Sequence, residues 1–244
     1  MRLLLAVALT AASSWAIAAP PPGDPPGRPL RPATIRVTGQ AKVSEPPDRV
    51  YIDIGVTTQA PKSEGAASQN ATRLSAVIAA VKRAAGPGAQ LTTTEYSISP
   101  DYRYSPGAAA TIEGYTASNV LEVRLDELRK IGAVLDAATQ AGSNNVQDIR
   151  FALRDEQVPR TQALREAALN ARLDAQALAD ALGLRVVRVL SVDERGPEVI
   201  RPPRIYMQAR LMGGATAPST PVEAGTLAVS ASVTLTVEVA PAKR

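Results

Sequence analysis

Residues 159–182 read PRTQALREAALNARLDAQALADAL and are followed by Gly183. Leu164, Ala168, Ala171, Ala175, Leu178 and Leu182 are spaced by 4, 3, 4, 3 and 4 residues, the repeat that gathers apolar groups on one helical face. The many alanines favour helix, and a glycine just past the last periodic residue is a common stop. The stretch therefore predicts a helix of about 36 Å at ~1.5 Å per residue. Its narrow stripe has two uses, crossing the back of a sheet within the monomer or pairing with another subunit, and the first is the expected one. The sheet it needs is visible downstream. Residues 227–239, LAVSASVTLTVEV, alternate apolar with small or polar side chains without a break, the pattern of a long strand with one buried face. Arg185–Asp193 reads as another strand.

Working outward, Thr34–Gly39 is a short strand candidate, and Val50, Ile52, Ile54 and Val56 alternate with Tyr51, Asp53 and Gly55. Pro61 and Ser63 open a helix to about Ala85, with Ala67, Leu74, Val77, Ile78 and Val81 mostly on one face, and Gly86-Pro87-Gly88 ends it. Leu91–Ile98 and Glu113–Leu125 form a hairpin around a loop over residues 99–111. Asp126 is the expected N-cap of a helix running to Ala141, and Val146–Leu153 is a further strand. Residues 195–225 lack a clean period and read as a long loop. Three helices and about seven strands, in irregular order, give an α+β fold with antiparallel or mixed sheets packed on the helices.

The N-terminus carries a separate signal. Arg2 precedes the apolar run Leu3–Thr10, and Ala16-Ile17-Ala18 supplies small residues at a cleavage site, the pattern of a secretory signal peptide. The run is short of the ~20 residues a spanning helix needs. Residues 1–18 are expected to be the signal peptide, with cleavage after Ala18 (Ala19 is the alternative). Residues 19–32 form a proline-rich leader, and 33–240 the folded domain. The chain has no cysteine, so it lacks the residue that a lipoprotein anchor requires. A soluble periplasmic protein is the expectation.

Residue types exclude much chemistry. With no His and no Cys, His-dependent triads, thiol nucleophiles and His- or Cys-ligated zinc are impossible. Phosphate-loop and dinucleotide fingerprints are missing. No catalytic, cofactor-binding or metal-ligating residue is assigned, no cofactor is expected, and the chain is read as a non-enzyme. The adjacent acids Asp155-Glu156 and Asp193-Glu194 read as surface charge, because neighbours on a strand point to opposite faces. Lys42 beside Ser44 has no oxyanion hole around it, and an enzyme using a carboxylate or a Ser/Lys pair ranks last. The sequon Asn70-Ala71-Thr72 falls inside the first predicted helix and is discounted. The net charge of +4 comes from 27 basic and 23 acidic residues. The arginines are scattered, so no nucleic-acid partner is expected. Tyr96, Tyr102, Tyr104 and Tyr115 crowd one hairpin, either capping the open end of a small core or forming a contact surface. The tip Tyr102-Arg103-Tyr104 is the candidate interface, since Tyr and Arg are favoured at binding hot spots.

Several segments together resemble the SIMPL-domain family of bacterial periplasmic immunogenic and oxidative-stress defence proteins. They are Val37-Thr38-Gly39, Asp48, Tyr96-Ser97-Ile98-Ser99-Pro100 with Tyr102 and Tyr104, Gly114-Tyr115 and Asn119. Leu135-Asp136, Gly142, Asn145, Ile149 and Phe151 continue the series, as do Arg165, Ala168, Ala171, Ala175, Leu178-Ala179 and Leu182-Gly183, then Pro221 and Gly225. Gln40 departs from the pattern, as does Glu45-Pro46-Pro47. The resemblance spans about residues 33–240. It implies an exported α+β domain, often self-associating, with links to envelope stress, and it supplies no catalytic residue. Homo-oligomerisation or an envelope protein partner is the first expectation; a binding module for an anionic envelope component, using the arginines and the 195–225 loop, is the second.

The processing pattern predicts that exported protein begins at Ala19 and has lost Trp15, the chain's single tryptophan. Intact mass and tryptophan fluorescence on periplasmic material check this together, and tryptophan emission from the exported chain contradicts it.

Overall fold

The computed structural model describes residues 32–107, 109–200 and 224–242, with 197–200 described as backbone alone. The expected signal peptide, nearly all of the leader and residues 201–223 lie outside the described residues. The order is β1 (Thr34–Glu45), β2 (Arg49–Ala60), α1 (Ser63–Ala85), β3 (Gln90–Arg103), β4 (Thr111–Leu125), α2 (Ile131–Gln140), β5 (Asn145–Ala152), α3 (Gln157–Ala181), β6 (Leu184–Ile200) and β7 (Leu227–Pro241). A 3-10 turn, Leu128–Lys130, leads into α2.

The α+β class holds, and every described ladder is antiparallel. One sheet has the order β3-β4-β2-β5 and the other β1-β7-β6. The four-stranded unit, residues 49–152, is therefore inserted between β1 and the segment that completes β1's own sheet. In this unit Val50, Ile52, Ile54 and Val56 of β2 are fully buried against Val77 and Val81 of α1 and Val134 of α2. Asn70 is the polar exception on α1. Its amide donates to the carbonyls of Val56 (2.8 Å) and Ala117 (3.0 Å), fastening the helix to β2 and β4. That enclosure leaves the sequon asparagine inaccessible to a glycan.

The second unit rests on α3. The buried residues of this helix include Ala163, Ala167, Ala171, Ala175 and Ala179, each four from the next, and they pack on Val37 of β1 and on Val229–Val239 of β7. The sequence reading put Leu178 and Leu182 in this stripe, yet they are 46% and 65% exposed, and Leu164 and Ala168 are only partly buried. The reason is geometric. A 4-3-4 stripe runs parallel to the helix axis, whereas a four-residue period drifts by about 40° per step, as it must when a helix crosses a sheet obliquely. The placement of Ala171 and Ala175 within the monomer's core holds.

Gly39 explains how closely the two elements meet. A Cβ at this position would lie 2.2 Å from the Ala171 nitrogen and 2.3 Å from the Ala167 oxygen. Strand and helix backbones are thus in direct contact, and any larger side chain would hold them apart.

Other boundaries differ from those expected. β1 runs six residues past Gly39 because its register with β7 continues to Glu45 and Leu227. The β3–β4 ladder extends to Arg103 and Thr111, so residues 99–103 are strand instead of loop. Likewise β6 takes up residues 195–200, shortening the expected 195–225 loop. Asp126 is not a helix cap: the carboxylate accepts from Arg49 at 2.7 and 3.2 Å, and the following turn has no side-chain cap.

Ala171→Leu forces a large side chain into this contact, and Gly39→Ala places a methyl group on helix backbone. Each should cost about 1–3 kcal/mol, the usual range for overpacking, seen as a lower melting temperature by circular dichroism. Arg172→Ala, on the exposed side of the helix, should shift stability by no more than about 0.5 kcal/mol. Parent-like melting of Gly39→Ala would contradict the backbone contact.

Candidate functional site

Of the tyrosines singled out from the sequence, Tyr102 and Tyr104 sit on an arm, while Tyr96 and Tyr115 lie within the sheet. β2 pairs with β4 only as far as Ala60 and Tyr115, so the pairs Asp101–Gly114, Tyr102–Ile112 and Arg103–Thr111 run beyond the sheet. A register shift between Asp101 and Tyr102 marks the point of departure, and such bulges re-aim a strand. Thr116 anchors the base by donating to both Asp101 carboxylate oxygens at 2.8–2.9 Å.

On this arm Tyr102 is 51% and Tyr104 79% exposed, and their ring centroids lie 6.4 Å apart, inclined at 44°. Ile112 and Tyr96 are exposed as well. Arg103 is tied to Glu113, its Nε donating to Oε2 at 3.1 Å. The same interaction holds the Glu113 carboxyl below the usual carboxylate range. Of the candidate interface residues, Tyr102 and Tyr104 stand side by side and exposed, while Arg103 is engaged with Glu113 within the hairpin. Tyr96, Tyr102 and Tyr104 are exposed and do not cap the core, whereas Tyr115 is half-buried.

A second constellation escaped sequence reading. On the face of the four-stranded sheet away from the helices, register places Glu122 of β4, Asp53 of β2 and Asp148 of β5 abreast. Arg150, two residues along β5 from Asp148, reaches all three. Its Nη2 lies 2.5 Å from Glu122 and 3.5 Å from Asp53, and Nε is 3.3 Å from Asp148. The guanidinium also stands over the Tyr51 ring, 5.5 Å from its centroid, a cation–π contact. Burial pushes the Asp53 carboxyl above its ordinary range; Arg150 opposes the shift, while Glu122 and Asp148 add to it. Asp126 behaves oppositely, pulled down by its hydrogen bond from Arg49 and supported by Arg154 at 3.4 Å.

This network is a clamp across three strands. It presents no nucleophile beside a base, and no group of three or more acids arranged for a metal ion occurs among the described residues. The adjacent acids are local supports or surface charge. Asp155 accepts from the Gln157 backbone at 2.8 Å, Glu156 pairs with Arg160 at 2.7 Å, and Asp193 and Glu194 are exposed. Lys42 and Ser44 are exposed on β1. A charged residue at an off-core position of a clean strand, such as Asp53 between Ile52 and Ile54, was the available signal for the clamp.

Arg150→Met leaves three carboxylates side by side, and like charges on neighbouring strands destabilise a sheet. It should cost on the order of 1–3 kcal/mol at pH 7, as for lost hydrogen bonds to charged groups. Asp53's raised pKa favours the neutral acid in the folded state. Its contribution to stability is thus complete below the unfolded pKa and lost as pH rises through the folded one. The deficit of Arg150→Met should accordingly narrow as pH falls towards about 4. Melts across that range check it, and a pH-independent deficit contradicts it.

The arm, the clamp and the alanine-backed helix all fall within a stretch shared with other bacterial proteins. The chain is 30% identical over 218 residues to the 26 kDa periplasmic immunogenic protein of Brucella melitensis, covering 86% of each chain. It is 27% identical over 158 residues to the uncharacterized protein YggE of Escherichia coli K12, covering 65% of this chain and 64% of that one. The YggE protein of Edwardsiella ictaluri is 26% identical over the same length. The family model for SIMPL, described as a protein of unknown function (DUF541), matches residues 35–237. With that match running from β1 into β7, the chain belongs to the SIMPL family.

Proposed function

We propose that this chain is an exported, non-enzymatic envelope protein that acts by assembling with copies of itself or with an envelope protein, and that it contributes to tolerance of oxidative or envelope stress. The observation that carries the reading is the projecting arm. Tyrosine and isoleucine side chains stand exposed on a hairpin whose strands pair only with each other, leaving both outer edges open, and among the described residues no element covers this apolar surface. Aromatic side chains of this kind gain binding energy at little cost in conformational freedom. Location in the periplasm is supported by the N-terminal signal and by the periplasmic name of the Brucella relative. Among the described residues no helix is long and apolar enough to cross a membrane. The stress link rests on the family resemblance. A non-enzymatic role is supported by the lack of His and Cys and by strong carboxylates that are engaged in structural ion pairs.

Light scattering on the purified mature protein should give a mass above that of one chain. Tyr102→Ser combined with Tyr104→Ser should reduce it while leaving the melting temperature of the four-stranded unit unchanged, because neither ring lies in the core. Treatment with a metal chelator or thiol reagent should leave the assembly intact. An assembly unaltered by the double substitution removes the arm from the interface, and a monomer at every concentration removes self-association.

A further inference from the structure

The proline-rich leader and the tyrosine arm are chemically matched. Seven of the thirteen residues in 20–32 are proline. Proline has no backbone N–H, so this segment is a poor guest for an open strand edge. It carries no aromatic residue, and its one aliphatic side chain besides proline is Leu30. What it offers is pyrrolidine rings and backbone carbonyls, with little conformational freedom to lose because proline fixes φ. In a polyproline II helix, with three residues per turn, Pro26, Pro29 and Pro32 would fall on one edge and Arg28 and Arg31 on another.

Surfaces lined by aromatic side chains recognise segments of this kind. Tyrosine supplies both parts of the contact, a ring face for the pyrrolidine and a phenol O–H that donates to a carbonyl. Among the described residues the exposed tyrosines are confined to one hairpin, with Tyr102 and Tyr104 on the arm and Tyr96 farther back on β3. Tyr51 and Tyr115 are half-buried, and Phe151 is buried. The Tyr102 and Tyr104 rings stand 6.4 Å apart, about two residues of a polyproline II chain rising ~3.1 Å per residue. Arg28 and Arg31 belong to a residue type that also stacks on aromatic faces.

Leader and arm are both placed where a second copy can reach them. The leader joins β1 at Thr34, whereas the other end of β1, Glu45, pairs with Leu227, a member of the four-stranded unit's core. The arm lies at the opposite end of β2, past Ala60. Each is therefore a whole strand away from the junction of the two sheets. We infer that the leader of one copy docks, as a polyproline II segment, on the Tyr102–Tyr104 surface of a second copy. The inference rests on the reading of the arm as the assembly surface and names what fills it.

A synthetic peptide of residues 20–32, added to the purified mature protein, should lower the mass seen by light scattering. The same peptide carrying Pro26→Ser, Pro29→Ser and Pro32→Ser should need about ten times the concentration. In the full mature chain, that triple substitution should raise the concentration at which the assembly dissociates about tenfold or more, as should Tyr102→Ser with Tyr104→Ser. Mixing the two variants brings together one intact leader and one intact arm, so pairs should form where neither variant assembles alone. Melting curves verify that both variants fold. The inference is overturned if the peptide leaves the mass unchanged, or if the leader variant assembles like the parent. In that second case, loss of assembly in the tyrosine variant alone keeps the arm as the interface and gives it a different occupant. A mixture that stays monomeric although the peptide competes puts the leader on the arm of its own chain, which overturns the exchange. A parent that is monomeric at every concentration removes both readings.

Discussion

Helix α3 rests on β1 backbone to backbone, at the point where Gly39 faces Ala167 and Ala171. The rest of the three-stranded unit follows from that contact. A helix seated so low leaves room for nothing larger than alanine along its inner line, which accounts for the series from Ala163 to Ala179. Alanine buries little area, so the apolar weight is carried by the sheet, where β7 contributes an unbroken row from Leu227 to Val239. The division is the reverse of that in the four-stranded unit, where both helices bring branched residues to the interface. The first and last strands of the domain are paired with each other, and α3 clasps both.

The two sheets also differ on their outer faces. In one, Arg150 gathers three carboxylates and an aromatic ring, so polar groups from three strands neutralise one another. In the other, the central strand presents Ser230, Ser232, Thr234 and Thr236, with Glu238 beyond them paired to Arg188 at 2.7 Å. A self-satisfied surface stiffens a sheet.

What the sequence disclosed follows the range of the forces involved. β7 was legible because alternation is a local property with one buried face, and α1 because Ser63 and Gly86 mark its limits. The buried face of α3 was misread at Leu178 and Leu182, since it depends on the angle at which helix crosses sheet, which no spacing within the helix records. Asp126 looked like a cap because capping is a local habit; its actual partner, Arg49, is 77 residues away. Arg150 is 97 residues from Asp53 and 28 from Glu122, and strand register alone makes them neighbours. For the arm, composition sufficed to find Tyr102 and Tyr104, whereas the engagement of Arg103 with Glu113 required knowing that the ladder continues past residue 98.

Pairing Thr34 with Glu238 joins residues separated by about 200 positions, with a complete four-stranded unit enclosed in the loop. Closing so long a loop is entropically costly before it is rewarded, and folds dominated by such pairings form slowly. The strands of the inserted unit pair only with one another, within residues 49–152, while β1 still waits with both edges open, although Leu227 of the last strand completes the unit's core. A chain that emerges N-terminus first therefore carries an unpaired strand until its last segment arrives. The three-stranded sheet can close only once β7 is available, since β1 and β6 pair with it and not with each other.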